Sequence, residues 1–522
     1  MNKLLQATLA MAAAAVLSCS GNAGSAGDDT AHDTTDRATD DLLTTDAIEQ
    51  WGVTWTFETA VPYGRFANGD YWVIGPVTII SVTPDFDGDH HGLEVNPSDI
   101  VRQGFDSRVA DFDAAIMPTL PFEAAPGESV VKAISLEPLD DTECRPCLRT
   151  ASVLTVLAEA PPDLGKTVFR PPYFSTKKPE YSTTDLRTDL LPSYAATPGA
   201  PTLENELQRF QRVHLDHKQD WTGAFLHPTE NMAEYGSSVS IENAEGALRL
   251  MLDDSLEDKN DLLIAYVQLG IDLYQMLKNG QTWPANGGHG EGRKLPIAFA
   301  AVLLDESEMK DAVSNAGTEA FGENGGMYFS EQADTVLWGQ GDYTEEMYWE
   351  NLVFDTGSRT LSDPYRMVDG GHRPGDSYQF CCTSMPYKEH ATAAYLFPEI
   401  AAIWNYDPFF EYVERWVEEG ARTQPDTCAP PVGVCSGGDN EGAACSIASE
   451  PSVCTGEDAF CDASATWDQD FGVLYGPDGE GGCIIDKDES DGLGRFPLLH
   501  GTNADDGYYG STFAEEMWDT YR

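Results

Sequence analysis

The apolar pattern of this chain changes period once, near residue 200, and no other feature restricts the fold as strongly. Between residues 50 and 160 apolar and polar residues alternate. Trp51-Gly-Val-Thr-Trp-Thr-Phe57, Tyr71-Trp-Val-Ile-Gly-Pro-Val-Thr-Ile-Ile-Ser-Val82, Ser129–Leu136 and Ala151–Leu157 are all rich in β-branched and aromatic residues, the signature of half-buried strands. Asn68-Gly69-Asp70 marks a turn ahead of the second. Beyond residue 200 apolar positions recur every three to four residues, which predicts helices over 203–217, 242–256, 258–278, 293–304, 387–405 and 407–419. In the 258–278 helix and its end, Asp261, Gln268, Asp272, Gln275 and Asn279 form one polar stripe, expected to face bulk water, or else a wet cleft.

This order of elements predicts an α+β multidomain protein. A β-sandwich-like domain is expected over residues 47–165 and an α/α-toroid-like helical domain over 166–425. A disulfide-rich segment over 426–485 and a tail over 486–522 complete the chain. No repeat of 20 to 50 residues is visible, so a regular solenoid is disfavoured.

The first residues assign a compartment. Lys3 precedes an apolar run from Leu4 to Leu17, followed by Ser18-Cys19-Ser20, which reads as a signal peptide over 1–18. Val16-Leu17-Ser18-Cys19 resembles a bacterial lipobox, making Cys19 the expected lipidation site; ordinary signal cleavage is the alternative. Ser20 after the cysteine favours the outer membrane. Residues 19–46 are nearly all small or acidic and are expected to form a disordered tether.

Cysteine usage agrees with export. Of 11 cysteines, Cys428, Cys435, Cys445, Cys454, Cys461 and Cys483 fall near the C-terminus among Gly, Asp and Ser, and read as a disulfide framework. Zinc is the rival reading, but no His stands there at ligand spacing. Cys144-Arg-Pro-Cys147 has redox CxxC spacing, although export favours a structural bridge. Cys381 and Cys382 are free to pair with it or with each other. The 31 basic and 87 acidic residues leave a formal charge of −56, which excludes nucleic acid as a partner.

Three loops concentrate chemistry. The first is His227-Pro-Thr-Glu-Asn-Met-Ala-Glu-Tyr-Gly236, the second Trp283-Pro-Ala-Asn-Gly-Gly-His-Gly-Glu-Gly-Arg-Lys294, and the third Gly370-Gly-His-Arg-Pro-Gly375 leading to Lys388. Each places His, Arg, Asn or Tyr near a helix mouth, with glycines that let backbone approach a ligand. The second loop lacks the GxxxxGK[ST] spacing of a phosphate loop, and no βαβ unit surrounds it. His214-Leu-Asp-His217 is a weak metal candidate, Asp85–Asp89 lacks the rest of an EF-hand, and no G-x-S-x-G elbow is present. Neither a metal nor a cofactor is expected.

On these loops, and on the order of β-region, helices and Gly-Gly-His-Gly-x-Gly-Arg-Lys, the chain resembles bacterial α/α-toroid polysaccharide lyases of the alginate lyase and heparinase type. The resemblance implies β-elimination on a uronate-containing polysaccharide. His289 would be the base, Tyr235 the acid and His227 a reserve base. Asn231 and Arg293 would neutralise the uronate carboxylate, a step that stabilises the developing enolate. Lys294, Arg373 and Lys388 would add a local basic patch within the acidic chain, Trp283 a stacking surface, and Glu230 a further substrate contact. Two other readings stay open. A glycoside hydrolase would draw its two carboxylates from Glu230, Asp272 and Glu389. A non-catalytic glycan-binding lipoprotein would stack sugars on Trp221, Trp283 and Tyr387.

Overall fold

The computed structural model describes residues 42–140, 144–285, 288–326, 384–419, 433–445, 450–456, 459–462, 474–477, 483–486 and 510–522. Cys19, Arg373, Cys381, Cys382 and Cys428 lie outside them, as do the expected signal peptide and the third loop as far as residue 375. Leu43 to Arg522 form one compact unit.

Eight strands make one curled sheet: β1 (Thr44–Gln50), β2 (Val53–Arg65), β3 (Tyr71–Ile74), β4 (Val77–Thr83), β5 (Leu93–Val95), β6 (Phe122–Ala124), β7 (Ser129–Ser135) and β8 (Leu148–Leu157). Their order is β5-β7-β8-β3-β2-β4-β6, with β1 also on β2. All pairs are antiparallel except β3 with β8. Thr44 already pairs with Pro62, so the sheet begins inside the segment expected to be tether. The expected strand 71–82 is two strands, because Pro76 has no N–H for a ladder. A Cβ on Gly75 would stand 2.2 Å from Val156 Cγ1, so the chain bends there on a glycine.

The sheet has apolar residues on both faces at its centre. Val130, Ile134, Leu154 and Val156 join Val53, Trp55, Phe57 and Ile79 in a core inside the curl. Their neighbours Val131, Ala133, Ala151 and Val153 pack instead into the helical core. Successive strand residues point to opposite faces, so β7 and β8 fasten sheet and helices together.

Among the described residues the helices longer than four residues are α1 (Leu203–Phe210), α2 (Gly236–Leu250), α3 (Leu256–Lys278), α4 (Lys294–Leu303), α5 (Ser307–Ser314), α6 (Ser384–Leu396), α7 (Pro398–Trp404), α8 (Asp407–Glu419) and α9 (Thr512–Tyr521). Ser255 caps α3 by accepting from Asp258 N at 3.1 Å, and Thr202 caps α1 from Asn205 N at 3.1 Å. The polar stripe of α3 does not face bulk water at its middle. Gln268, Asp272 and Gln275 are buried, and Gln268 Nε2 donates to Asp272 Oδ1 at 2.7 Å.

The helix expected over 203–217 stops at Phe210, and residues 211–217 are neither helix nor strand. Side chains elsewhere donate to carbonyls that a helix would have satisfied. Asn231 Nδ2 donates to Arg212 O and Val213 O, both at 3.3 Å, Tyr173 Oη to His214 O, and Gln281 Nε2 to Asp216 O at 3.0 Å.

In the C-terminal segment Cys435 pairs with Cys454 and Cys445 with Cys461, around strands 433–436, 444–445 and 460–462. Cys144 and Cys147 pair with each other.

Candidate functional site

The first two loops converge. The first is pinned to the start of β8, where Thr229 N donates to Leu148 O and Glu230 N to Arg149 O, each at 3.0 Å. The second packs against the N-terminus of α2, and the contact depends on Gly236. A Cβ there would lie 1.9 Å from His289 O, so this glycine serves close packing of protein on protein rather than approach of a ligand.

Between the loops and residues 211–217 lies a small recess whose walls include Asp216, Lys218, His227, Trp283, His289 and Arg293. Asp216 is its hub. Arg293 Nε donates to Asp216 Oδ2 at 2.7 Å and Nη2 to Oδ1 at 3.2 Å. His227 Nε2 stands 3.5 Å from Oδ1. Burial alone would raise the Asp216 pKa, but Arg293 and His227 outweigh it and hold the carboxyl well below its ordinary value.

The two histidines are held differently. His227 Nδ1 donates to Ala233 O at 2.6 Å and its Nε2 faces Asp216, so both ring nitrogens meet acceptors. His289 Nε2 faces the Asp220 carbonyl at 3.4 Å. A carbonyl only accepts, so Nε2 carries the hydrogen and Nδ1 the lone pair. Nδ1 is buried and finds no partner among the described residues. Burial first, then the charge of Arg293, pushes the His289 pKa down to about 4, which leaves the ring neutral near pH 7. Asp220, with φ 68°, presents that carbonyl from a left-handed conformation costing about 1–3 kcal/mol for a non-glycine residue.

Aromatic rings flank His289. Trp221 lies 4.7 Å from it and Tyr235 5.8 Å, centroid to centroid, while Trp283 stacks on Phe321 in the recess wall. Lys218 Nζ donates to Thr222 Oγ1 at 2.6 Å and stands 3.2 Å from Asp111 Oδ2. Behind the second loop, Glu323 Oε1 accepts from Gly292 N at 3.0 Å and lies 3.2 Å from His390 Nδ1. His390 Nε2 is 3.0 Å from Ser240 Oγ. Ser, His and Glu stand in the order of a nucleophilic relay, but all three are fully buried, so they brace the loop.

The recess therefore gathers His227, His289, Arg293 and Trp283, with Tyr235 beside His289. The other expected site residues among those described lie off its wall. Glu230 pairs with Arg212, and Asn231 serves residues 212 and 213. Lys294 donates to Asn324 Oδ1 at 2.7 Å and to Trp404 O at 2.9 Å. Lys388 lies 3.5 Å from Glu515. Arg293 has all three nitrogens engaged inside the protein, Nη1 by the Glu291 carbonyl. Asp216 is hidden by the helix expected over 203–217, while Lys218 and Asp220 lie just past its end and outside the three loops. The signal for Asp216 is the alternation Val213-His-Leu215-Asp-His217, which has period two. It also separates His214 from His217, which lies between Phe105 and Tyr173 rather than beside His214 in a metal site.

The chain matches no family model, no curated protein and no solved structure. The chemistry of the recess therefore has to be argued from its own atoms. Its walls supply a neutral imidazole with an unpartnered nitrogen, a second imidazole against a carboxylate, a lysine and an indole, and the Tyr235 ring stands beside the first imidazole. This is equipment for proton transfer.

Proposed function

We propose that this recess is the active site of an exported enzyme that cleaves a uronate-containing polysaccharide by β-elimination. The observation that carries the reading is His289 Nδ1, a buried and unpartnered base beside the Tyr235 ring. In the proposed step His289 Nδ1 takes the proton from C5 of the uronate, and the C4–O4 bond breaks as the C4–C5 double bond forms. Tyr235 gives its phenolic proton to the leaving oxygen. The substrate carboxylate is neutralised by Lys218, because Arg293 and His227 both face Asp216. The Lys218 side chain is buried, and its present neighbours are Asp111 Oδ2 at 3.2 Å and Asp220 Oδ2 at 3.9 Å, whose places the arriving carboxylate would take.

The helical half is read, in the same proposal, as an α/α toroid and the curled sheet as sandwich-like. The chain is read as anchored to the outer membrane through Cys19. The hydrolase alternative is less favoured, since its carboxylates sit in separate settings. Glu230 is on Arg212, Asp272 on Gln268, and Glu389 accepts from Ser511 N. In the binding alternative Tyr387 drops out, because it is buried with its hydroxyl on Gly322 O at 2.6 Å.

The test is to incubate residues 43–522 with uronate-containing and neutral polysaccharides, following reducing ends and the ultraviolet absorbance of the new conjugated double bond. Both signals should rise on a uronate glycan, and His289→Ala should lower the rate on the order of 10²–10⁴-fold. Reducing ends without absorbance would replace elimination by hydrolysis. Neither signal on any glycan would reject the enzyme reading.

A further inference from the structure

Trp221 covers one side of His289, and what holds Trp221 lies outside the recess. The indole belongs to a 3₁₀ turn, Trp221–Leu226, and meets Phe225 at 6.0 Å and Tyr235 at 6.2 Å edge-on. The Arg145 guanidinium lies over the indole, 3.9 Å from its centroid, and pairs with Glu234. Arg145 is the second residue of Cys144-Arg-Pro-Cys147, whose ends are joined by a disulfide. That small loop is moored to the turn carrying Trp221, because Cys147 N donates to Phe225 O at 2.8 Å. It is held from the other side by Arg108, which donates to Cys147 O at 3.1 Å while bound through two nitrogens to Asp106 at 2.9 and 2.8 Å.

Resting on the reading of His289 as the reacting base, we propose that Arg145 is a positioning residue which, held by the Cys144–Cys147 bridge, seats Trp221 against His289. The guanidinium carbon stands over the indole face, where a cation is drawn to the electrons of the ring. A lysine ammonium keeps the charge but not the plane. Trp221 is 36% exposed, so without Arg145 it is free to leave the ring it covers and water reaches the imidazole. Opening the bridge frees the main chain on both sides of Arg145 and acts in the same direction. The CxxC spacing thus fastens a cation over the roof of the recess.

The test uses residues 43–522 and the side-chain NMR titration of His289, which needs no substrate. Arg293, His227 and Asp216 also face that ring and stay in place in every variant. Arg145→Ala should raise the His289 midpoint by about one unit or more, toward the ordinary value near 6.5. Arg145→Lys should recover part of that shift. A Cys144→Ser/Cys147→Ser variant should move the midpoint the same way, and if it does not fold, the two Arg145 variants decide alone. In the glycan assay Arg145→Ala should lower kcat on the order of tenfold to a hundredfold with little change in KM. An unmoved midpoint in folded Arg145→Ala overturns the proposal. So does full restoration by lysine, since charge alone would then set the state of the ring. A raised midpoint in a protein that cleaves no glycan upholds the positioning role and rejects the lyase reading.

Discussion

Asp216 organises the recess by holding Arg293 through two hydrogen bonds while the His227 ring stands beside it. Arg293 has only 3% of its side chain exposed, so Asp216→Asn leaves a guanidinium buried without a counter-charge. Such a loss costs about 3–5 kcal/mol, and urea unfolding of the variant should show its midpoint lowered accordingly. His289 supplies a second prediction. With its pKa at about 4, the base form persists well below neutrality. The kcat/KM profile should therefore hold its acidic limb near pH 4 and fall only as pH drops through that value. A limb near 6.5 would exclude His289 as the base. The sign for stability agrees. A pKa lowered on folding contributes stability that is complete above the unfolded value of about 6.5 and is lost as pH falls toward 4.

Among the elements, the two approaches that build the recess depend on backbone rather than on reactive side chains. The start of α2 rests directly on the carbonyl of His289, and Gly236→Ala would place a methyl group 1.9 Å from that oxygen. Overpacking of this kind costs about 1–3 kcal/mol. Thermal unfolding should show that loss, and the His289 titration should shift because the loop moves. The strands and helices themselves were largely legible. The helix at 407–419 has the expected ends, and Ser129–Ser135 stops one residue short of them. Legibility failed at 211–217, where Asn231, Tyr173 and Gln281 satisfy carbonyls from a distance. Local periodicity carries no record of a donor supplied by another segment, so the helical reading continued too far and hid Asp216.

The whole molecule from Leu43 onward behaves as one body because β7 and β8 are buried on both faces. Sheet and helices should accordingly unfold together. Hydrogen exchange of the slowest amides in β2 and α3 should report the same opening free energy, and distinct values would separate the two halves. The net charge of −56 also acts at this scale, since a polyanionic glycan reaches the recess against a repulsive field that salt screens over about 8 Å at 0.15 M. Composition and periodicity by themselves determined the mixed α+β class, most element positions, the disulfide-bearing C-terminal segment and the two loops richest in His, Gly and Trp. These are properties of neighbouring residues, and local steric and apolar preferences express them. Only the tertiary structure decided that the two loops meet around Asp216, that Arg293 is spent on that carboxylate, and that Asn231, Lys294 and Lys388 serve the scaffold. Which buried charge pairs with which depends on contacts between segments far apart in the chain, and desolvation then fixes the pairing.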